Sequence, residues 1–152
     1  MRDSMKLRKA KEGDRSQLRE IANKYLAPIY GNQDKALNEW LTGEGYKTVF
    51  VLEVANQIAD LLSLKRNPSK NYVKISTLLV VHEFQKNKLG NLLLTRSVEF
   101  AREEKVNRLV VTVSETVPDS VIFFLKNGFN ILHCETGKYK RGVVEFIMER
   151  GL

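Results

Sequence analysis

The chain has 152 residues, 43% of them hydrophobic and 28% charged, which suits one domain with a buried core and excludes long disorder, collagen-like repeats and a disulfide scaffold. One cysteine, Cys134, and two histidines, His82 and His133, supply neither an intrachain disulfide nor a zinc site, so no metal is expected. No apolar run approaches the roughly 20 residues of a membrane helix, and Met1-Arg2-Asp3-Ser4-Met5 lacks the apolar stretch of a secretory signal, so a soluble cytoplasmic protein with no membrane partner is expected.

The net charge is +7, spread over both halves. Such charge favours an anionic partner, either a phosphorylated cofactor or nucleic acid.

Residues 6–9 read as a short opening strand. Asp14 then offers a helix cap, and Leu18, Ile21, Ala22, Tyr25 and Leu26 follow at helical spacing. Pro28 and Gly31-Asn32 are expected to end that helix. A second short helix over residues 33–41 carries Leu37, Trp40 and Leu41 on one side, and Thr42-Gly43-Glu44-Gly45 breaks it. Residues 48–54 and 58–64 are strands joined by a turn at Ala55-Asn56-Gln57. After a turn at Pro68-Ser69-Lys70-Asn71, residues 72–81 form a third strand rich in β-branched side chains.

The clearest helix runs from Leu89 to about Glu104, with Leu89, Leu93, Leu94, Val98 and Ala101 on one face. Residues 108–113 are a nearly all-apolar strand, as in a sheet covered on both faces. Pro118 suits a first helical position, with Thr116 and Asp119 as a capping-box-like start, and Asn127-Gly128 stops that helix. Residues 129–134 and 143–149 are closing strands joined around Gly137. In the last strand Val144, Phe146 and Met148 alternate with Glu145 and Glu149. The expected fold is α+β: a mixed, mostly antiparallel sheet with helices on both faces, in a single domain over residues 1–152.

The chemistry concentrates at Leu78-Leu79-Val80-Val81-His82-Glu83-Phe84-Gln85-Lys86-Asn87-Lys88-Leu89-Gly90-Asn91. A strand ends, a polar basic turn follows, and a helix begins at once. Unpaired backbone N–H groups and the positive end of the helix dipole make such a turn a phosphate cradle. Gly90 permits a close backbone approach, and Lys86 and Lys88 add charge. An ordinary loop with solvated lysines explains the same residues equally well.

Gln85-Lys86-Asn87-Lys88-Leu89-Gly90 resembles motif A of the Gcn5-related N-acetyltransferase (GNAT) superfamily, and Leu78-x-Val80 resembles its preceding strand. Asp119-Ser120-Val121-Ile122-Phe123-Phe124-Leu125-Lys126-Asn127-Gly128-Phe129 resembles motif B. With the element order, the resemblance covers essentially the whole chain and points to a little-characterised branch. It implies a GNAT-like sheet and acetyl-CoA as cosubstrate. Backbone groups of Leu78 and Val80 would then meet pantetheine, and a strand N–H near Val80 would polarise the thioester carbonyl. Gln85, Lys86, Lys88, Leu89, Gly90 and Asn91 would surround the phosphates.

Four positions depart from that pattern. Lys88 stands where the first motif glycine usually is, and Val117 where an asparagine often contacts the cofactor. Phe124 replaces the tyrosine that protonates the leaving thiolate in many members. Lys74 replaces the general-base glutamate of some. Ser114, at a strand end, and Tyr139, in the closing hairpin, are the remaining catalytic candidates. Each also has a bland reading, as a strand-end cap and a turn aromatic. Glu53 and Asp60 read as solvated strand carboxylates, Cys134 as a small buried hydrophobe, and Tyr25, Tyr30, Trp40 and Tyr46 as helix packing beside the acceptor cleft.

The expected function is direct transfer of acetyl from CoA to an amine on a small molecule or protein. The departures motivate an alternative, a non-catalytic acyl-CoA-binding or protein-interaction module. The even spread of charge weighs against a nucleic-acid partner. The residues set neither the acceptor nor an oligomeric state.

Overall fold

A computed structural model describes residues 5–81 and 88–152. Seven strands form one sheet in the order β1-β2-β3-β4-β5-β7-β6. They are β1 (Met5–Lys9), β2 (Lys47–Val54), β3 (Gln57–Lys65), β4 (Val73–Val80), β5 (Arg108–Ser114), β6 (Asn130–Thr136) and β7 (Val144–Gly151). Among the described residues only β4 and β5 pair in parallel. The parallel step requires a crossover, supplied by α4 (Leu89–Glu103). The mixed, mostly antiparallel sheet is the one expected.

Alternation along the strands sorts the core into two layers. Val49 and Val51 of β2 and Leu61 of β3 pack with Leu18 and Ile21 of α1 (Arg15–Ile21) and with Leu37 and Trp40 of α3 (Asp34–Thr42). Phe50, Leu62 and Leu64 point the other way. They pack with Leu93, Leu94 and Val98 of α4 and with Phe124 of α5 (Pro118–Lys126). The apolar stripe on α4 is thus buried as its spacing requires. Leu93 has no exposed surface, and truncating it to alanine would cost about 2–5 kcal/mol.

Several local expectations are corrected. Pro28 does not end the first helix. The chain widens into a π-type turn over Ala22–Leu26 and continues as α2 (Ala27–Tyr30), with Pro28 in the first turn, where no N–H is needed. Gly31, at φ 87°, makes the stop. Asp14 does not cap α1 through its side chain. It accepts two hydrogen bonds from Arg8, at 2.8 and 2.9 Å, and one from the Lys11 N–H at 2.8 Å, which tie the helical layer to β1. Thr116 does not cap α5 either: Val117 holds that place, and the Thr116 hydroxyl bonds Ser114 Oγ at 2.8 Å.

Cys134 is exposed, because β6 is the edge strand and most of it faces solvent. Asp60 is not solvated: it is 0% exposed. Its Oδ1 accepts the Leu52 N–H at 2.9 Å, beside the bulge where β2 and β3 shift register. Its Oδ2 has no partner among the described residues. Glu53 is half-buried and lies 3.5 Å from the Arg8 guanidinium.

Candidate active site

Strands β4 and β5 run together only at their start, where Val73, Lys74 and Ile75 pair with Leu109, Val110 and Val111. Beyond that row β4 stays with β3 as far as Val80, and β5 goes with β7 as far as Ser114. The strands part into a V-shaped notch in the middle of the sheet. Burial records the parting: β4 is the fourth of seven strands, yet residues 76–80 are only half-buried.

Hydrogen-bond alternation says which groups face the notch. The Val81 N–H donates to the Ala59 carbonyl at 2.9 Å. Two residues back, Leu79 lies opposite Leu61 in the same phase. Leu78 and Val80 therefore turn their backbone groups away from β3, towards the notch. On the other wall the Glu115 N–H donates to the Val144 carbonyl at 2.9 Å. Ser114, opposite Glu145, is then a non-hydrogen-bonded pair. Its backbone also faces the notch, and its side chain sits close to that of Glu145.

α4 begins beyond the end of β4. Lys88 is its N-cap residue and holds the left-handed conformation, φ 56° and ψ 29°. The backbone that a glycine would favour is thus kept by a lysine, at a cost of about 1–2 kcal/mol. Leu89, Gly90 and Asn91 form the first turn, whose N–H groups have no partner within the helix. No acidic side chain lies in that turn. The Leu89 side chain is core, and that of Asn91 is exposed. A Cβ on Gly90 would stand 3.3 Å from Phe123 of α5, so the glycine serves the packing of two helices. Gln85, Lys86 and His82 lie outside the described residues.

The structure brings Ser114 and Tyr139 together with two residues that sequence reasoning left as packing and alternation, Tyr30 and Glu145. Tyr30 ends α2 and meets Tyr139 edge to face, with ring centroids 5.1 Å apart. Burial pushes the Tyr30 hydroxyl up to about 12, while a backbone hydrogen bond with Ser114 pulls the other way and the Glu145 charge adds to the rise. Tyr139 is raised by burial and by the charges of Glu145 and Glu135. Glu145 is 1% exposed. Burial raises its carboxyl, and a hydrogen bond from the Ser114 hydroxyl offsets part of the rise. Its Oε1 has no partner among the described residues.

The positions of the absent acid and base are also clear. Phe124 is 4% exposed and packs edge to face on Phe129, with centroids 5.0 Å apart. Lys74 sits one residue before the parting of β4 and β5. Burial lowers its pKa, as do Lys138 and Lys65, while Glu135 opposes them. Among the described residues no three His, Cys, Asp or Glu side chains gather as a metal site. No helix there is long and apolar enough to cross a membrane.

No curated protein matches the chain in sequence. Solved structures resemble its fold. Ard1 from Thermoplasma volcanium superposes with a TM-score of 0.83 at 19% identity, covering 97% of each chain. The PaiA N-acetyltransferase from Thermoplasma acidophilum, in complex with coenzyme A, gives 0.79 at 19% identity over 98% of this chain and 99% of that one. Nourseothricin acetyltransferase gives 0.66 at 18% identity, over 70% of this chain and 65% of the other. The family model of the acetyltransferase (GNAT) domain matches residues 10–152. With the parted strands and the helix start beside them, that match places the chain: it belongs to the GNAT acetyltransferase family.

Proposed function

We propose that this chain moves acetyl directly from acetyl-CoA to the nitrogen of an acceptor amine. The observation that carries the reading is the parting of β4 from β5 after Ile75 and Val111, with the start of α4 beside it, in a chain of this family. Coenzyme A is bound by one protein of similar fold. In this chain the first-turn amides of Leu89, Gly90 and Asn91, with Gln85, Lys86 and Lys88, would hold its phosphates. Leu78 and Val80 would pair with pantetheine.

The amine nitrogen attacks the thioester carbonyl carbon, the C–S bond breaks, and the electron pair leaves on sulfur. The amine loses one proton and the thiolate gains one, so the products are an amide and the CoA thiol. Most of the rate comes from holding the two reactants in line and from strand N–H groups at the carbonyl oxygen. A CoA thiol ionises near the value of a cysteine, about 8.5, so its thiolate leaves tolerably without an acid at the Phe124 position. Tyr30, whose hydroxyl meets the Ser114 backbone on the notch wall, stays protonated at neutral pH and can donate to the departing sulfur.

The test is release of free thiol from acetyl-CoA with a broad amine panel, beside calorimetric titration of acetyl-CoA. Binding with amine-dependent thiol release is the expected result. Tight binding with no release for any amine would leave the acyl-CoA-binding module in its place.

A further inference from the structure

The row of residues that ends at the apex of the notch is basic. Lys47 of β2 lies directly opposite Lys65 of β3, and Lys65 directly opposite Lys74 of β4. Adjacent strands are about 4.8 Å apart, so three ammonium-bearing chains start within about 10 Å of one another. All three point to one face of the sheet. Val49, two residues along from Lys47, and Leu61, four before Lys65, pack against the α1–α3 layer. Val73 and Ile75, on either side of Lys74, pack against α4. The row therefore lies on the side of the sheet that Tyr30 and Tyr139 overhang.

Like charges directly opposite across strands destabilise a sheet, and among the described residues only the more distant charges of Glu39 and Glu135 offset them. All three lysines are half-buried. None has an ion pair or hydrogen bond among the described residues. Burial lowers Lys47 to about 8, with Lys65, Lys74 and Lys35 adding to the fall and Glu39 opposing it. Lys138 also faces Lys74, but Glu135 already holds it at 3.5 Å. On the same face, two residues along β3 from Lys65, the Ser63 hydroxyl is fully buried and has no partner among the described residues. A partly desolvated cluster of positive charge is stabilised by an anion placed against it.

We infer that the acceptor of this site is an anionic amine, carrying a carboxylate or phosphate that the Lys47–Lys65–Lys74 row holds while the amine reaches the notch. The inference rests on the acetyl-transfer reading, which puts the thioester in the notch whose apex Lys74 borders. It excludes polyamines and lysine-rich peptides as preferred acceptors, since their charge repels the row. It also gives Lys74 a task at the strand position where a glutamate would repel such a substrate.

The experiment uses paired small amines with acetyl-CoA saturating. O-phosphoethanolamine is compared with ethanolamine, β-alanine with propylamine, and spermidine is run beside them. The anionic member of at least one pair is expected to have a kcat/KM about tenfold or more higher, and which pair responds tells phosphate from carboxylate. Lys65→Gln and Lys74→Gln are expected to erase most of that preference through KM, with acetyl-CoA affinity unchanged. A second measurement needs no turnover: succinate and inorganic phosphate, at constant ionic strength with CoA bound, should raise the Tm of the wild type more than that of Lys65→Gln. Preference for neutral amines or spermidine, or a preference untouched by both substitutions, overturns the inference and leaves the acetyl-transfer reading standing. Competition by a single-stranded polynucleotide but by neither small anion overturns it in favour of a nucleic-acid acceptor. If acetyl-CoA itself does not bind, the acetyl-transfer reading fails. The anion titration, run without CoA, then decides the lysine row alone: stabilisation lost in Lys65→Gln supports an anion site, and its absence overturns one.

Discussion

Ser114 and Glu145 face each other across β5 and β7, both shut off from solvent, and the serine hydroxyl hydrogen-bonds the carboxyl. The pair lies at the open end of the notch, behind the backbone group that meets Tyr30. Ser114 thus touches the site through its main chain and the protein interior through its side chain. Ser114→Ala should cost about 1–3 kcal/mol of stability by removing a partner from a buried carboxyl, while turnover changes little because the backbone contact to Tyr30 survives. Chemical denaturation and steady-state rates on one acceptor separate the two effects. A large loss of kcat without loss of stability would make the hydroxyl itself catalytic.

Tyr30→Phe removes the hydroxyl that meets the notch wall and keeps the ring. Acid assistance is commonly worth about 10²–10⁴-fold, and a thiolate needs less help than most leaving groups. A fall in kcat near the lower end of that range is expected, with KM for acetyl-CoA nearly unchanged. Tyr139→Phe keeps the edge-to-face contact with Tyr30 and should cost less. Steady-state kinetics of both variants check the order. Equal or reversed effects would move the donor to Tyr139.

Asn91 is exposed in the first turn of α4. Asn91→Glu places a negative charge where CoA phosphates are expected. The same charge favours the helix dipole, by about 0.3–1 kcal/mol. The variant should therefore be as stable as the wild type or more so, yet bind CoA about tenfold more weakly. Thermal unfolding and calorimetric titration give the two numbers. Unchanged affinity would put the phosphates away from this turn.

Asp60 is the clearest titrating group of the core. Burial pushes its carboxyl up to about 7, against the pull of the Leu52 N–H. In the unfolded chain it ionises near 4. Below that pH both states keep the proton and the group costs nothing. As pH climbs towards 7 only the unfolded chain releases the proton freely, so stability falls by up to about 4 kcal/mol and then levels. Asp60→Asn keeps an acceptor for the Leu52 N–H and does not titrate. The difference in Tm, variant minus wild type, should grow from pH 5 to pH 8. A flat difference would mean that the carboxyl is already ionised in the fold.

Much of this arrangement is legible in the residues. Helix spacing located α4 from Leu89 onwards, and the β-branched run located β4. The motif resemblance put Leu78, Val80 and Gly90 beside a notch that the register then outlines. Glu145 was not legible, because alternation with Val144 and Phe146 names two faces of a strand and not which one is wet. In this sheet helices lie on both faces, and Glu145 is interior while Glu149 on the same face stays half-buried. Asp60 escaped for the same reason. The lysine row was out of reach because Lys47, Lys65 and Lys74 are far apart in sequence and become neighbours only through strand register. Lys88 shows the reverse: it stands where the motif has a glycine, yet the left-handed backbone is kept.

The proposed transfer requires acetyl-CoA to enter between β4 and β5 and to meet the start of α4. Amide hydrogen exchange with and without acetyl-CoA tests that directly. Slowed exchange is expected at Leu78 on the notch edge and at Leu89, Gly90 and Asn91 in the first turn of α4, with little change on β1 or α3. Protection confined to other elements, or none at saturating acetyl-CoA, would contradict it.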